Sequence, residues 1–546
     1  MKKNIFLFML LVFSLHAFAA DTRTFRISKN LSIFNAVFRE LDAFYVDTLN
    51  YDKMATGAIN EMLSRLDPYT NYIPEKETDD LKFMTTGEYA GIGALITKIG
   101  TTICVSEPYE GMPAQRNDVR AGDIILEVDG KSVEGLSVSD VSAKLKGTPN
   151  TTIKLKLQRI GLKKPIEKEF LREKIQVNPI TYAALVAPKV GFVQLTDFTD
   201  KSAMELKLAV NELVKNHQIE SLIIDLRNNG GGLIDEAVKI MGFFVPKGSD
   251  VVTTRGKNKL TERVYKTPTE PVFPTMKLAV LVNRGSASAS EILAGAVQDL
   301  DRGIIVGERT FGKGLVQNIR PVDFGGHVKI TTAKYYIPSG RCIQAIDYSH
   351  RNEDGSVGRV PDSLTTVYKT KNGRKVRDGG GIVPDIKSAD ERKMNIAYYI
   401  YVQNSYFDFA NQYVAQHQSI AKPSEFTLSD TDFQSFKEYL VAKKFTYKTE
   451  SEKMFAEFQD LVKSEGIDKY TSEELKALEL KLKPDVMRNV DDNKADIVEL
   501  LSLEIIKRYY FQKGEIEYAL RFDNELKSAI ENLTDKSLYD NLLSFK

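Results

Sequence analysis

At 546 residues the chain is too long for a single core, and a prior of roughly 150 residues per domain implies three or four units. Its 75 basic residues almost cancel its 74 acidic ones, so no global field would draw it to nucleic acid or to an anionic membrane; no nucleic-acid partner is expected. Cys104 and Cys342 are its only cysteines, far apart in sequence and without metal-ligand company, which gives no metal site and leaves one disulfide or two free thiols open.

The first twenty residues, MKKNIFLFMLLVFSLHAFAA, combine a basic start at Lys2 and Lys3, an apolar run from Ile5 to Leu15, and the small-residue site Ala17-Phe18-Ala19. This is the layout of a secretory signal peptide cleaved near Ala19 or Ala20, and it predicts export to the periplasm. The run is too short for an ordinary spanning helix, and no later segment reaches about eighteen unbroken apolar residues, so no stable membrane span is expected; an uncleaved anchor is the alternative.

Residues 21–86 read as a helical segment, with Ile33, Val37, Leu41 and Tyr45 at four-residue spacing and a second helix ending before Pro68. From 87 to 160 the texture changes to short β-branched strands broken by Gly, Asn and Asp, with one helix over SVSDVSAKLKG that follows a Ser cap. Residues 161–391 alternate strand and helix: VGFVQLTDF, a helix over 202–216, SLIIDLRNNGGG, KLAVLVNRGSASASEILAGAVQD, and then GIIVGERTFGKGLVQNIR as strand, glycine turn, strand. Such alternation predicts a parallel or mixed sheet with chemistry where its strands end. Residues 392–546 are charged, aromatic and helical, with Phe433, Phe436, Tyr439 and Leu440, then Ile497, Leu500, Leu501 and Ile505, on apolar faces. The fold class is therefore α/β multidomain: a mixed-sheet core, an inserted strand-rich module, and N- and C-terminal helical segments.

Three stretches carry chemistry. In NRGSASASEILAGAVQD a turn after an apolar strand delivers three serines, Ser286, Ser288 and Ser290, to the start of a helix, where a hydroxyl gains from the helix dipole and the next N–H can face an oxyanion. Serine and alanine also crowd helix starts simply because one caps and the other packs. DLRNNGGG closes a strand with glycines whose N–H groups can form an anion-binding nest, or only a tight turn. TFGKGLVQ holds Lys313 between two glycines; it is a solvated charge unless it is buried, in which case desolvation lowers its pKa toward that of a general base.

In their order and spacing these three motifs resemble the C-terminal processing, or tail-specific, proteases, and the resemblance covers roughly residues 30 to 390. It implies a serine endopeptidase with a Ser-Lys dyad and an embedded PDZ domain, acting on proteins near or from their C-termini without a cofactor. It makes Ser288 the nucleophile and Lys313 the base, with Gln317 orienting that base, and places the oxyanion hole at Ala289 with Gly231 or Gly232. YAGIGALI and GMPAQRNDVRAGDIILEVDGKSVEGL are similar to a PDZ domain, which implies that Gly91, Ile92, Gly93 and Ala94 take a substrate's terminal carboxylate. The implied partners are proteins with accessible tails, and a homodimer stays open. RNDVRAGD departs from the shorter turn of many relatives.

Some relatives carry a site acid at the position of Asp299, but eleven residues of helix rise about 16 Å, so a structural role is expected here. Glu291, in the first helical turn, is expected to favour the dipole. His16, His217, His327, His350 and His417 lie in no motif and are expected to be surface or structural residues. A histidine triad, a PDZ scaffold without catalysis and a small-ester hydrolase are the rival readings. Joint retention of Ser288, Lys313 and Gln317 argues against the scaffold, and the PDZ module against the ester hydrolase.

Overall fold

The computed structural model describes residues 23–544, apart from 79–82, 84, 258, 260–261, 353 and 389–393. The expected signal peptide lies outside the described residues. At the centre is a six-stranded mixed sheet, in the order β1 (Ile180–Ala187), β2 (Val190–Leu195), β3 (Ser221–Asp225), β4 (Lys277–Val282), β5 (Ile304–Gly307) and β6 (Ile386–Lys387). The β1/β2 pair is antiparallel and every later pair is parallel.

All five residues of β3 are buried, as a parallel strand covered on both faces requires. Strand alternation then divides the side chains between two cores. Leu222, Ile224, Leu278, Val280 and Ile305 meet the helices α1 (Ser202–His217), α2 (Ile234–Met241) and α3 (Ala289–Asp299). Ile223, Ala279, Leu281, Ile304 and Val306 meet Leu526, Ala529, Leu533 and Tyr539 from the last two helices of the chain. Those two helices, Asn524–Thr534 and Lys536–Leu543, are thus a layer of the core by packing, although their sequence texture continues that of the helices before them.

A second sheet lies beside the first. His327–Tyr336 pairs with Leu315–Pro321, with Asp250–Gly256, and with the short strand Asn71–Ile73 that the N-terminal segment contributes. The N-terminal helix Arg23–Phe44 buries no side chain.

The strand-rich module forms its own sheet, ordered Ala94–Ile99, Thr102–Pro108, Ile124–Val128, Thr152–Gln158 and Ile166–Leu171, with Lys131–Ser132 at its side. Its one long helix, Val138–Leu145, starts on a reciprocal Ser137/Asp140 cap. The sheet runs past residue 160 because Ile166–Leu171 returns along Thr152–Gln158. Helices from Ile396 to Ala519 pack around Tyr406, Phe409, Phe436 and Leu501. They meet the module at a Lys507–Glu107 ion pair of 3.0 Å and at Gly122, where a Cβ would sit 2.5 Å from Asn411. Both cysteines are free thiols.

Candidate active site

The turn after β4 is braced from within. Asn283 Oδ1 accepts the N–H groups of Gly285 and Asn228, each at 2.9 Å. Ser286 donates to Leu226 O at 2.7 Å, and Ser290 to Asn229 O at 2.9 Å. Both of these serines are fully buried and committed to packing. Ser288 differs: it is half-buried and sits at φ 58°, ψ −114°, directly before α3. Such backbone costs an L-residue about 1–3 kcal/mol and is characteristic of a strand-to-helix elbow that presents a nucleophile. Tyr335, wholly buried, donates to the Ser288 carbonyl from below at 3.3 Å.

The glycine loop after β3 lies against this elbow. At Gly231 a Cβ would fall 2.6 Å from Ala287 O and 2.7 Å from Ser288 Cβ, and φ is 102°, so only glycine fits. Buried Asn229 shapes the loop by accepting the Gly231 N–H on Oδ1 at 2.8 Å and donating to Leu195 O at 2.7 Å. Of the expected oxyanion donors, Gly231 is therefore engaged by its neighbour. The N–H groups of Gly232 and Ala289 have no backbone acceptor outside the regular elements among the described residues.

Lys313 arrives on the loop between β5 and Leu315–Pro321. Burial lowers its pKa to about 8, helped by Lys329 and opposed by Glu291 and Asp67. Its Nζ stands 4.5 Å from the ring centroid of Tyr69 and forms no ion pair with any described residue. Tyr69 is placed by Asp67, whose Oδ1 accepts the N–H groups of Tyr69 and Thr70 at 2.9 Å each, just ahead of the Asn71–Ile73 strand.

One buried carboxylate joins the two loops. Glu291 Oε2 accepts the N–H groups of Ser288 and Lys313, each at 2.9 Å. Its Oε1 accepts Thr310 Oγ1 at 2.6 Å and Gly312 N at 2.7 Å. Complete burial pushes its pKa up to about 7, against the pull of those four hydrogen bonds. Sequence reasoning assigned Glu291 only to the helix dipole. The available signal was the S-x-x-E spelling of Ser288 to Glu291, which places a carboxylate over the helix start.

Gln317 donates to Thr331 Oγ1 at 3.0 Å and makes no hydrogen bond to Lys313. The amide next to the base loop is that of Gln344, whose Oε1 accepts Gly314 N at 2.7 Å. Among the described residues no hydrogen bond joins the Ser288 hydroxyl to Lys313. Asp299 lies at the far end of α3 in a buried pair with Arg341, 2.8 Å apart, and also accepts Ser339 N at 3.0 Å. None of His217, His327, His350 or His417 hydrogen-bonds Ser288; His350 pairs with Asp347, and His417 stacks on Tyr413. Arg227 missed notice in the sequence: it forks onto Asp225 and reaches Asp523 at 2.6 Å and Glu525 at 2.8 Å, fastening the end of β3 to the C-terminal helices.

In the strand-rich module, the Gly91 to Ala94 loop turns its carbonyls inward. Ile92 O accepts Ala114 N at 2.8 Å, and Gly93 O accepts Tyr109 N at 2.9 Å. The following strand, Ala94–Ile99, is the edge of its sheet. No described group of His, Cys, Asp and Glu could hold a metal ion.

Comparison with known proteins places these features in one frame. Residues 189–351 match peptidase family S41, residues 104–159 match a PDZ domain, and residues 396–533 match the C-terminal helical domain of a probable PDZ-protease. A carboxy-terminal-processing protease of Bartonella bacilliformis is 35% identical over 321 residues, covering 58% of this chain and 73% of its own length. A probable CtpA-like serine protease of Staphylococcus aureus is 36% identical over 317 residues, covering 58% of this chain and 62% of its own. The solved photosystem II D1 C-terminal processing protease is 30% identical, covering 65% of this chain and 86% of its own, with a TM-score of 0.36.

Proposed function

The chain belongs to peptidase family S41, the carboxy-terminal-processing proteases, and is a serine-type peptidase; from that premise we propose that Ser288 and Lys313 are its nucleophile and general base. The observation that carries this reading is the shared oxygen: Glu291 Oε2 binds the backbone N–H of both residues at 2.9 Å. Two loops distant in sequence are registered by one atom, and the lysine on one of them has lost most of its hydration.

Neutral Lys313 takes the Ser288 proton as Oγ attacks the scissile carbonyl. The oxyanion is held by the N–H of Ala289, at the positive end of α3, and by that of Gly232. Gly231 contributes close approach, since its own N–H is bonded to Asn229. The protonated amine then passes its proton to the leaving nitrogen, an acyl-enzyme forms, and water hydrolyses it with Lys313 again as base. For Lys313 to reach Ser288, its side chain must leave the face of Tyr69. Gln317 orients the base only if the Leu315–Pro321 strand shifts when substrate is bound.

The PDZ domain suits capture of a peptide, and its edge strand Ala94–Ile99 offers a ladder for an added tail. Gly91, Ile92, Gly93 and Ala94 would receive the terminal carboxylate. Export to the periplasm is supported by the tripartite leader over the first twenty residues; no described helix is long and apolar enough to cross a membrane. The test is to incubate wild type, Ser288→Ala and His327→Ala with an unfolded protein carrying an apolar tail and to map cuts by mass spectrometry. Wild type and His327→Ala are expected to cut alike and Ser288→Ala not at all; equal cutting by all three overturns the dyad.

A further inference from the structure

We propose that the C-terminal helical domain forms half of the tail-recognition site: the penultimate side chain of a bound tail enters a cavity between the edge strand Ala94–Ile99 and Tyr401, where a large apolar side chain is preferred. The inference rests on reading Ala94–Ile99 as the strand to which a substrate tail adds, and it extends that reading from the module to a second domain.

Strand alternation fixes which way each side chain of the edge strand points. Ala94 and Ile96 pack on the module's own core, so Leu95 and Thr97 face outward. Leu95 lies directly opposite Glu107 on Thr102–Pro108, and residues paired in this way share a face. Glu107 is held from the helical domain by Lys507 at 3.0 Å. The helical domain is therefore seated on the outer face, over side chains that the module's core does not use. Between the two lies a cavity of about 370 Å³, in which Leu95, Ile96 and Thr97 oppose Tyr401, Asn404 and Phe407.

The far wall is a corner between two helices. Ile396–Val402 ends, Asn404 takes φ 55°, and Ser405–Gln416 begins. Asn404 N donates to Tyr401 O at 2.9 Å, and Lys443 braces the corner through Asp408 at 2.8 Å. The charged residues of the cavity are engaged by neighbours: Lys507 by Glu107 and Glu515, and Glu504 by Arg508. Two apolar surfaces stay open, since Leu95 is 47% exposed and Tyr401 59%. A tail added to the edge strand obeys the same alternation. Its last side chain turns toward Val138–Leu145, the helix that packs beside Ala94–Ile99, so its penultimate one turns to the face of Leu95 and Tyr401. A large apolar side chain there covers both surfaces, whereas a charged one loses hydration beside groups that are already paired.

The test uses full-length Ser288→Ala protein, to prevent cleavage, and fluorescent ten-residue peptides with an apolar last residue and either Phe or Ala before it, each as free acid and as C-terminal amide, read by anisotropy. The Phe acid is expected to bind about tenfold tighter than the Ala acid. Adding Tyr401→Ala should reduce that ratio to about twofold while leaving the preference for acid over amide in place. Leu95→Thr, on the opposite wall, is expected to do the same and carries the test if the first variant does not fold. A Phe acid that binds no tighter than the Ala acid, or a tenfold ratio that survives in both folded variants, overturns the role of the helical domain while acid is still preferred over amide. Equal binding of acid and amide by the Ser288→Ala protein overturns tail capture by the module, and the proposal with it.

Discussion

Ser288 and Lys313 are held in opposite ways. Around Ser288 the buried polar side chains are committed: Ser286 to Leu226, Ser290 to Asn229, Asn229 to Gly231, and Tyr335 to the serine's own carbonyl. Around Lys313 the backbone is equally fixed, through Glu291, yet the amine rests on an aromatic face instead of an ion pair. The nucleophile follows β4, one of the buried inner strands of the central sheet. The base is delivered by a second sheet, under a tyrosine from the N-terminal segment. This difference suggests that the elbow is preformed and that substrate need reposition only the lysine side chain.

The most severe way to break that division is at Glu291, the one group both halves share. In Glu291→Gln the amide turns its NH2 either onto the N–H groups of Ser288 and Lys313 or onto Gly312 N–H with the Thr310 hydroxyl rotated to accept, and one or two buried clashes at about 1–3 kcal/mol each imply a loss of roughly fivefold to twenty-thousandfold in single-turnover rate. The comparison is made at matched folding, checked by thermal denaturation. A rate within threefold of wild type would show that the shared carboxylate does not register the dyad.

Gly231→Ala attacks only the nucleophile's side. Its Cβ would collide with Ala287 O and Ser288 Cβ, so the activity of a folded protein should fall about a hundredfold, an order of magnitude for each 1.4 kcal/mol of misplacement. Gly248→Ala is the control, at φ 83° with open space around it. It shares the backbone strain without the contact, and should cost about 1 kcal/mol of stability and no activity.

These particulars also show what the sequence could convey. The alternation of strand and helix, the turn after KLAVLV and the stripes of the C-terminal helices follow from local periodicity, and the structure has them. Asn229, Tyr69 and Arg227 were not legible because each matters through a partner at long sequence distance. Tyr69 meets Lys313, which precedes a distant strand of the same sheet, and Arg227 meets carboxylates nearly 300 residues onward. The last two helices illustrate the same limit: an apolar stripe announces burial without saying against what, and theirs faces the central sheet. The pairing of Gln317 with Thr331 is a matter of strand register, which no motif specifies.

The pH profile probes the two halves together. Lys313 must be neutral to act, so activity should rise as pH climbs through about 8. Glu291 must be ionised to accept four donors, so protonation near 7 removes activity a second time as pH falls. The expected logarithmic profile of kcat/KM has a slope of about one just below 8 and steepens below 7. A single unit slope down to pH 5 would remove Glu291 from the titration.

The smallest effect concerns the base alone, and it carries a sign that a purely structural Tyr69 would not give. A ring face 4.5 Å from the ammonium stabilises the charged form, by about 0.5–1 kcal/mol at such a site. Tyr69→Leu keeps apolar bulk over Lys313 but removes that attraction, so the lysine's pKa should drop by roughly 0.4–0.7 of a pH unit. At pH 7, where most of the lysine is still protonated, the neutral fraction and hence the single-turnover rate should rise about twofold to fivefold. At pH 9.5, where Lys313 is already largely neutral, the two proteins should be nearly equal. A fall in rate at both pH values would mean that the ring is needed to place the amine, and the base would then be as preformed as the nucleophile.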